Sequence, residues 1–223
     1  DFYHSPKTSL VCIENTTNKG GGACWDLDEI KKIKETCIEN NLNLHLDGAR
    51  IWNACVERGY NYPDFGKLFD TISVCLSKGL GCPVGSVLIF KKEYLKKAMK
   101  IRKILGGGMR QSGYLAACGL YALENNIQKL HQDHLRAREI SNLLEKLYFV
   151  EEVYPVETNI IIFKNKDKFS TKDFINFMYH NGVELIGMGD NKLRLVTHLD
   201  YTNDHHEKFM TLLSEIHTDK LLK

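Results

Sequence analysis

The chain has 223 residues, 43% of them apolar and 26% charged, and its 30 basic and 28 acidic side chains leave a net charge of +2. That balance excludes a disordered, collagenous or coiled-coil architecture, and a nearly neutral chain has no global field that calls for nucleic acid or an anionic membrane. The length suits one or two domains with a core that buries roughly 70% of the unfolded surface, and no apolar run approaches the ~18–20 residues of a membrane span.

The first residues, Asp1-Phe2-Tyr3-His4, do not form a signal peptide and do not include an initiator methionine, so further residues are expected upstream. Seven cysteines (Cys12, Cys24, Cys37, Cys55, Cys75, Cys82 and Cys118) form no CxxC pair. Several sit in apolar segments, which predicts reduced, buried thiols in a cytoplasmic protein.

Strands and helices alternate along the chain, a pattern that favours a parallel α/β sheet. Ser9 to Glu14 reads as a short buried strand. Asp26 to Asn40 reads as a helix, with Asp26 and Glu29 in capping-box register and Leu27, Ile30, Ile33 and Cys37 on its apolar face. Asn43 to Leu46 is a second strand, ending abruptly at Asp47-Gly48. Thr71 to Leu76 is a third, stopping before Ser77-Lys78-Gly79, and Val84 to Phe90 is a fourth. Glu93 to Leu105 is a helix closed by Gly106-Gly107-Gly108. Lys92, Lys96, Lys100 and Lys103 form one stripe along it, and Tyr94, Ala98, Ile101 and Leu105 the opposite one. The basic stripe is expected to be a solvated face, not a nucleic-acid surface.

Gln111 to Asn126 and Ile127 to Leu147 continue as helices. Beyond Tyr148 the pattern changes: Thr158 to Phe163 is a strand, Thr171 to Asn181 a helix, Leu193 to Thr197 a strand, and Asp204 to His217 a last helix. The expected organisation is a portion of a larger sheet domain over residues 1–126 and a small C-terminal α/β domain over 127–223. His131 and His134 have no third ligand nearby in sequence, so both are expected on a helix surface and no metal is expected; His205 and His206 read the same way.

In an open α/β sheet, chemistry collects beyond the carboxyl ends of the strands. Asp47 and Lys78 both occupy such positions. Lys78 is followed by Gly79 and Gly81, with apolar residues on either side of this stretch. It reads as a surface lysine or as a partly desolvated amine whose lowered pKa makes it a nucleophile. Asp47 reads as a helix cap or as a carboxylate that keeps the ring nitrogen of pyridoxal phosphate protonated. Together they have the residue types of a pyridoxal phosphate site.

Five segments occur in order: Glu14-Asn15-Thr16, His45-Leu46-Asp47-Gly48-Ala49-Arg50, Ser77-Lys78-Gly79-Leu80-Gly81, Gly106-Gly107-Gly108-Met109-Arg110-Gln111-Ser112-Gly113 and Leu193-Arg194-Leu195-Val196-Thr197-His198-Leu199-Asp200. As a set the chain resembles the low-specificity L-threonine aldolases of the β-eliminating lyase group, from about residue 10 to the C-terminus. The resemblance implies part of the pyridoxal-phosphate-dependent fold type I, the aspartate aminotransferase architecture, without the family's N-terminal portion. It implies that Lys78 carries pyridoxal 5'-phosphate as the internal aldimine and that Asp47 pairs with its ring nitrogen. It implies that Arg50 and Arg194 bind the substrate carboxylate, and that Lys103 and Arg110 reach the cofactor phosphate of a neighbouring subunit in a homodimer or homotetramer.

The implied reaction is cleavage of L-threonine or L-allo-threonine to glycine and acetaldehyde. A non-catalytic relative serving as an interaction or dimerisation protein, or another pyridoxal phosphate reaction such as β-elimination or racemisation, is the alternative. In the family a histidine follows Glu-Asn-Thr; Thr17 stands there in this chain and cannot act as a base near neutral pH as an imidazole does.

Overall fold

A computed structural model describes residues 3, 4 and 6–216. By contacts these form two compact units. One comprises the chain up to Thr16 together with Cys24–Gln128, the other Thr17–Ala23 together with the chain from Lys129 onward.

The first unit is built on a four-stranded sheet in sequence order: β1 (Leu10–Glu14), β2 (Asn43–Gly48), β3 (Thr71–Cys75) and β4 (Ser86–Phe90). β1, β2 and β3 are parallel, with Glu14 beside Asp47 and Asp47 beside Ser73. β4 departs from the expected all-parallel sheet, because it runs antiparallel to β3. The cause is the connection: Leu76 to Gly85 is too short for the crossover of a dozen or more residues that a parallel neighbour needs.

Alternation along the strands separates the two faces of this sheet. Leu44, Leu46, Ile72 and Val74 are buried on one face and cluster with Ile30, Cys37, Ala54 and Phe65 from the helices α1 (Leu27–Glu39), α2 (Ile51–Arg58) and α3 (Tyr62–Leu68). The other face carries Glu14, His45, Asp47, Thr71 and Ser73, all half-buried. His45 Nδ1 and Thr71 Oγ1 share a hydrogen bond across it at 2.7 Å.

Asp26 caps α1 as expected, accepting from the Asp28 amide at 2.8 Å. The expected capping-box partner does not close the motif. Glu29 is drawn to Lys32 one turn on, at 2.7 Å. The short helices α2 and α3 carry no sequence expectation, since the Arg58-Gly59-Tyr60-Asn61-Tyr62-Pro63 stretch interrupts any helical period.

Two further helices complete this unit: α4 (Leu95–Ile104), preceded by a 3-10 turn at Lys92–Tyr94, and α5 (Gly113–Asn125). α4 buries no residue, and its apolar stripe is open to solvent at Tyr94, Ile101 and Leu105. The helix ends in a Schellman motif: the Gly106 amide donates to Lys103 O at 3.2 Å, the Gly107 amide to Arg102 O at 2.8 Å, and Gly106 has φ +81°. α5 starts two residues later than expected because Gln111 has φ +51°, which cannot belong to a right-handed helix.

The second unit holds an antiparallel sheet in the order β5 (Val150–Val153), β6 (Ile160–Asn165), β8 (Lys192–Val196) and β7 (Ile186–Gly189). Three helices accompany it: α6 (Leu130–Leu144), α7 (Thr171–His180) and α8 (Asn203–Ser214). The last expected residue of α8, His217, lies outside the described residues. The core gathers Phe149, Ile161, Phe163, Phe169 and Phe174 with Ile140, Leu144, Leu193 and Leu213.

Ile160 to Phe163 are all buried, so β6 is covered on both faces. The second face is covered by the turn Thr17–Ala23, which lies far from it in sequence. A Cβ on Gly22 would sit 2.4 Å from Thr158 Oγ1 and 3.3 Å from Ile160. Thr158 Oγ1 donates to Gly22 O at 2.7 Å. Glycine is needed there for the approach and for φ +78°. This turn falls inside the first of the two segments expected from the sequence, and its contacts lie in the second unit.

Candidate active site

Asp47 closes β2 and Lys78 follows β3, so both stand at the carboxyl ends of neighbouring parallel strands. Asp47 is half-buried and its Oδ1 accepts from the Ala49 amide at 3.1 Å. Its Oδ2 has no hydrogen-bond partner among the described residues. The strand turns straight into α2 because Gly48 packs on β3, where a Cβ would lie 2.8 Å from Ser73 O. Arg50, not Asp47, occupies the helix cap position. It is half-buried, and its guanidinium has no ion-pair partner among the described residues.

Lys78 lies in a loop folded on itself: the Gly81 amide donates to Lys78 O at 2.9 Å and the Cys82 amide to Leu76 O at 3.1 Å. Leu80 and Cys82 are buried while Lys78 is exposed. Of the two readings of Lys78, this chain shows the surface one, because its apolar neighbours turn into the core and leave the lysine exposed. Buried Asn126 ties the loop to the end of α5, donating to Leu80 O at 2.8 Å.

Lys103 ends α4 and Arg110 lies in the loop before α5, both exposed. Gly108 packs against Lys103, whose Cδ would lie 2.7 Å from a Cβ there. Arg194 stands on β8 in the second unit, paired in register with Ile162 and Ile186, and lines a cleft of about 320 Å³ there. The structure thus brings Asp47, Arg50 and the Lys78 loop to one sheet end, with Lys103 and Arg110 elsewhere in the same unit.

Thr17 opens the glycine turn of the second unit. Its amide donates to Ala23 O at 3.0 Å, and its own carbonyl accepts from Gly22 at 2.8 Å. All seven cysteines are free, but only Cys37, Cys55 and Cys82 are buried; Cys12 and Cys118 are exposed. Burial pushes the Cys55 thiol up to about 12, which makes it unreactive.

The histidine expectation needs correction. His134 is fully buried, because α6 turns Leu130, His134, Ala137 and Leu144 toward the core at helical spacing. His131 stays exposed. His206 is also largely covered, with Nε2 at 2.7 Å from Glu139 and Nδ1 at 3.1 Å from the Tyr201 hydroxyl. Among the described residues no cluster of three or more His, Cys, Asp or Glu could hold a metal, and no helix is long and apolar enough to cross a membrane.

Sequence reasoning also missed Asp133 and Arg136, both buried on α6 with charged groups 3.9 Å apart. Burial pushes the Asp133 carboxyl up to about 6, against the opposing pull of Arg136. A raised folded pKa stabilises the protonated form. Its stabilisation is complete below the unfolded value near 3.8 and disappears as pH rises through 6. Asp133→Asn is expected to remove a pH-dependent increment of about 2 kcal/mol between pH 7 and pH 4. Urea unfolding of both proteins across that range checks it; parallel pH profiles would rule the assignment out.

Solved structures share this architecture. A putative L-allo-threonine aldolase from Listeria monocytogenes superposes with a TM-score of 0.77 at 21% identity, covering 95% of this chain and 62% of that one. The first unit carries a carboxylate and a lysine at adjacent strand ends and the second is an antiparallel α/β unit; the fold class is the aspartate aminotransferase type, fold type I of the pyridoxal-phosphate-dependent enzymes.

The family follows from sequence. A profile of the beta-eliminating lyases matches residues 1–167. The chain is 40% identical over 198 residues to a probable low-specificity L-threonine aldolase 2 of Arabidopsis thaliana, covering 87% of this chain and 56% of the relative. It is 39% identical over 204 residues to the low-specificity L-threonine aldolase of Escherichia coli K12, covering 92% and 59%. The chain belongs to the beta-eliminating lyase family, and it spans a little over half the length of these curated relatives.

Proposed function

We propose that this chain is the lysine-bearing part of a threonine-aldolase-type lyase that cleaves L-threonine or L-allo-threonine to glycine and acetaldehyde. The observation that carries the reading is the placement of Asp47 near the end of β2 and of Lys78 just beyond the end of the neighbouring parallel β3 in a chain 40% identical to a threonine aldolase.

The residues fit pyridoxal 5'-phosphate. Asp47 keeps one carboxylate oxygen available at the strand end, suited to holding a proton on a ring nitrogen. Lys78 offers an exposed amine for covalent attachment. Lys103 and Arg110 provide cations for a phosphate, and on the resemblance they serve a second copy in a homodimer or homotetramer. When bound, the cofactor supplies an electron sink for the pair released by Cα–Cβ cleavage.

The remaining work falls to the chain's own side chains. Arg50, half-buried and without an ion-pair partner among the described residues, offers a guanidinium fork to the substrate carboxylate. Arg194 is assigned the same carboxylate on the resemblance alone. The Asp47 carboxylate would hold a proton on the cofactor's ring nitrogen and so favour the charge that develops on cleavage. The free thiols and the absence of paired cysteines favour a cytoplasmic setting.

Thr17 bears on rate. It cannot take the β-hydroxyl proton as an imidazole would. Thr17→His in a full-length form is expected to raise threonine cleavage by roughly tenfold or more, measured as acetaldehyde release; an unchanged or lower rate would count against this role. The reading as a whole is tested by supplying pyridoxal phosphate and L-threonine and identifying the products. Glycine with acetaldehyde supports it. Ammonia with a keto acid points to β-elimination, and failure to bind the cofactor to the non-catalytic alternative.

A further inference from the structure

The second unit contains a buried polar network that the chemistry above does not use. Arg136 on α6 is only 9% exposed. Its Nη1 donates to Tyr201 O and its Nη2 to Asn203 Oδ1, the latter at 2.6 Å. Its guanidinium carbon also lies 5.9 Å from the centre of the Tyr201 ring. One planar group therefore holds two points of the turn between β8 and α8, and a guanidinium fork fixes direction as well as distance.

The other end of that turn is held by the same helix. Thr197, directly after β8, donates through Oγ1 to Asp133 O at 2.7 Å. Its amide donates to Asn159 O at 3.0 Å, and Asn159 Nδ2 returns a bond to Thr197 O at 2.9 Å. Between these anchors His198, Leu199 and Asp200 are exposed, held by the Tyr201 amide on His198 O at 2.8 Å, the Asp200 amide on His198 Nδ1 at 3.3 Å and His205 Nδ1 at 3.2 Å from Asp200 O. Thr197, His198 and Tyr201 line the same cleft of about 320 Å³ as Arg194.

We propose that Arg136 is a positioning residue: it fixes the turn after β8 and with it the wall of the cleft that Arg194 shares. The inference rests on the reading of Arg194 as a carboxylate binder. A buried charge is costly to keep when an apolar side chain could fill the space. Here the charge is spent on a backbone carbonyl and an amide of the turn, with Asp133 3.9 Å away, so its yield is the geometry of that turn.

The test uses the full chain supplied with pyridoxal phosphate and two ligands. L-Threonine carries a carboxylate; L-threoninol has the same amine and hydroxyl groups and no carboxylate. Titration calorimetry on Arg136→Gln is expected to show threonine weakened about tenfold and threoninol changed by less than about twofold. Arg136→Lys keeps the charge but not the fork and is expected to behave like the glutamine variant. Asn203→Ala removes one acceptor at an exposed site; it should give a smaller loss in the same direction, and it stands in if the Arg136 variants do not fold. Equal weakening of both ligands, or of neither, overturns the positioning role. Arg194→Lys separates the two levels of the argument. If it fails to weaken threonine selectively, or if the unmodified chain binds no threonine, the carboxylate reading falls and the proposal falls with it. If Arg194→Lys discriminates and the Arg136 and Asn203 variants do not, only the positioning role is lost.

Discussion

Lys78→Ala is expected to abolish the absorbance of bound pyridoxal phosphate and to lower threonine cleavage by about a thousandfold or more in a full-length form, since no other group replaces a covalent amine. Its stability should change by no more than about 0.5 kcal/mol. The second half of the prediction comes from the structure: Lys78 is exposed, and the loop around it is held by backbone bonds and by Asn126, not by the lysine side chain. Absorbance titration and thermal unfolding on the same preparation check both. A variant that unfolds early would make the lysine a structural residue; one that keeps the cofactor band would move the attachment elsewhere.

Phe163→Ala is the mirror case, with a large effect on folding. Phe163 is fully buried on β6, packs edge-on to Phe174 at 6.0 Å, and pairs in register with Leu193 and Val153. Truncation leaves a cavity in the cluster that Phe163 shares with Phe174, Ile140, Leu144 and Leu193. The expected loss is about 3–5 kcal/mol. Leu105→Ala, by contrast, alters a side chain that is 80% exposed and should stay within about 0.5 kcal/mol. Chemical denaturation followed by circular dichroism distinguishes the two, and equal losses would mean that the core does not sit where the aromatic cluster places it.

Much of the fold was legible in the sequence, and the legible parts share a cause. β2 and β3 alternate buried apolar residues (Leu44 and Leu46, Ile72 and Val74) with polar ones, β6 opens on the apolar run Ile160-Ile161-Ile162-Phe163, and α1 has a clean apolar period with an aspartate cap. Local chemistry decides such elements. β5 and β7 have four residues each and lie at the edges of their sheet, so they carry too little pattern to stand out. α2 and α3 are short helices, with Gly59 ending the first and Pro63 in the first turn of the second, and are held by the sheet beneath them, not by their own propensity. His134 could have been read correctly, because Leu130, Ala137 and Leu144 share its helical face. The residues of the candidate site were visible as Asp47-Gly48-Ala49-Arg50 and Ser77-Lys78-Gly79. The network of Asp133, Arg136, Thr197 and Asn203 was not, since its members meet only when α6 packs beside the end of β8.

By itself, then, the sequence determined the alternation of strands and helices, the family, and the placing of a carboxylate and a lysine at strand ends, all of which depend on short-range pattern and residue type. The tertiary structure alone decided the exposure of Lys78 and of the α4 stripe, and the seating of the Thr17–Ala23 turn over β6. Each of these depends on which surfaces meet across long stretches of chain, and burial is a property of such meetings, not of a residue or its neighbours in sequence.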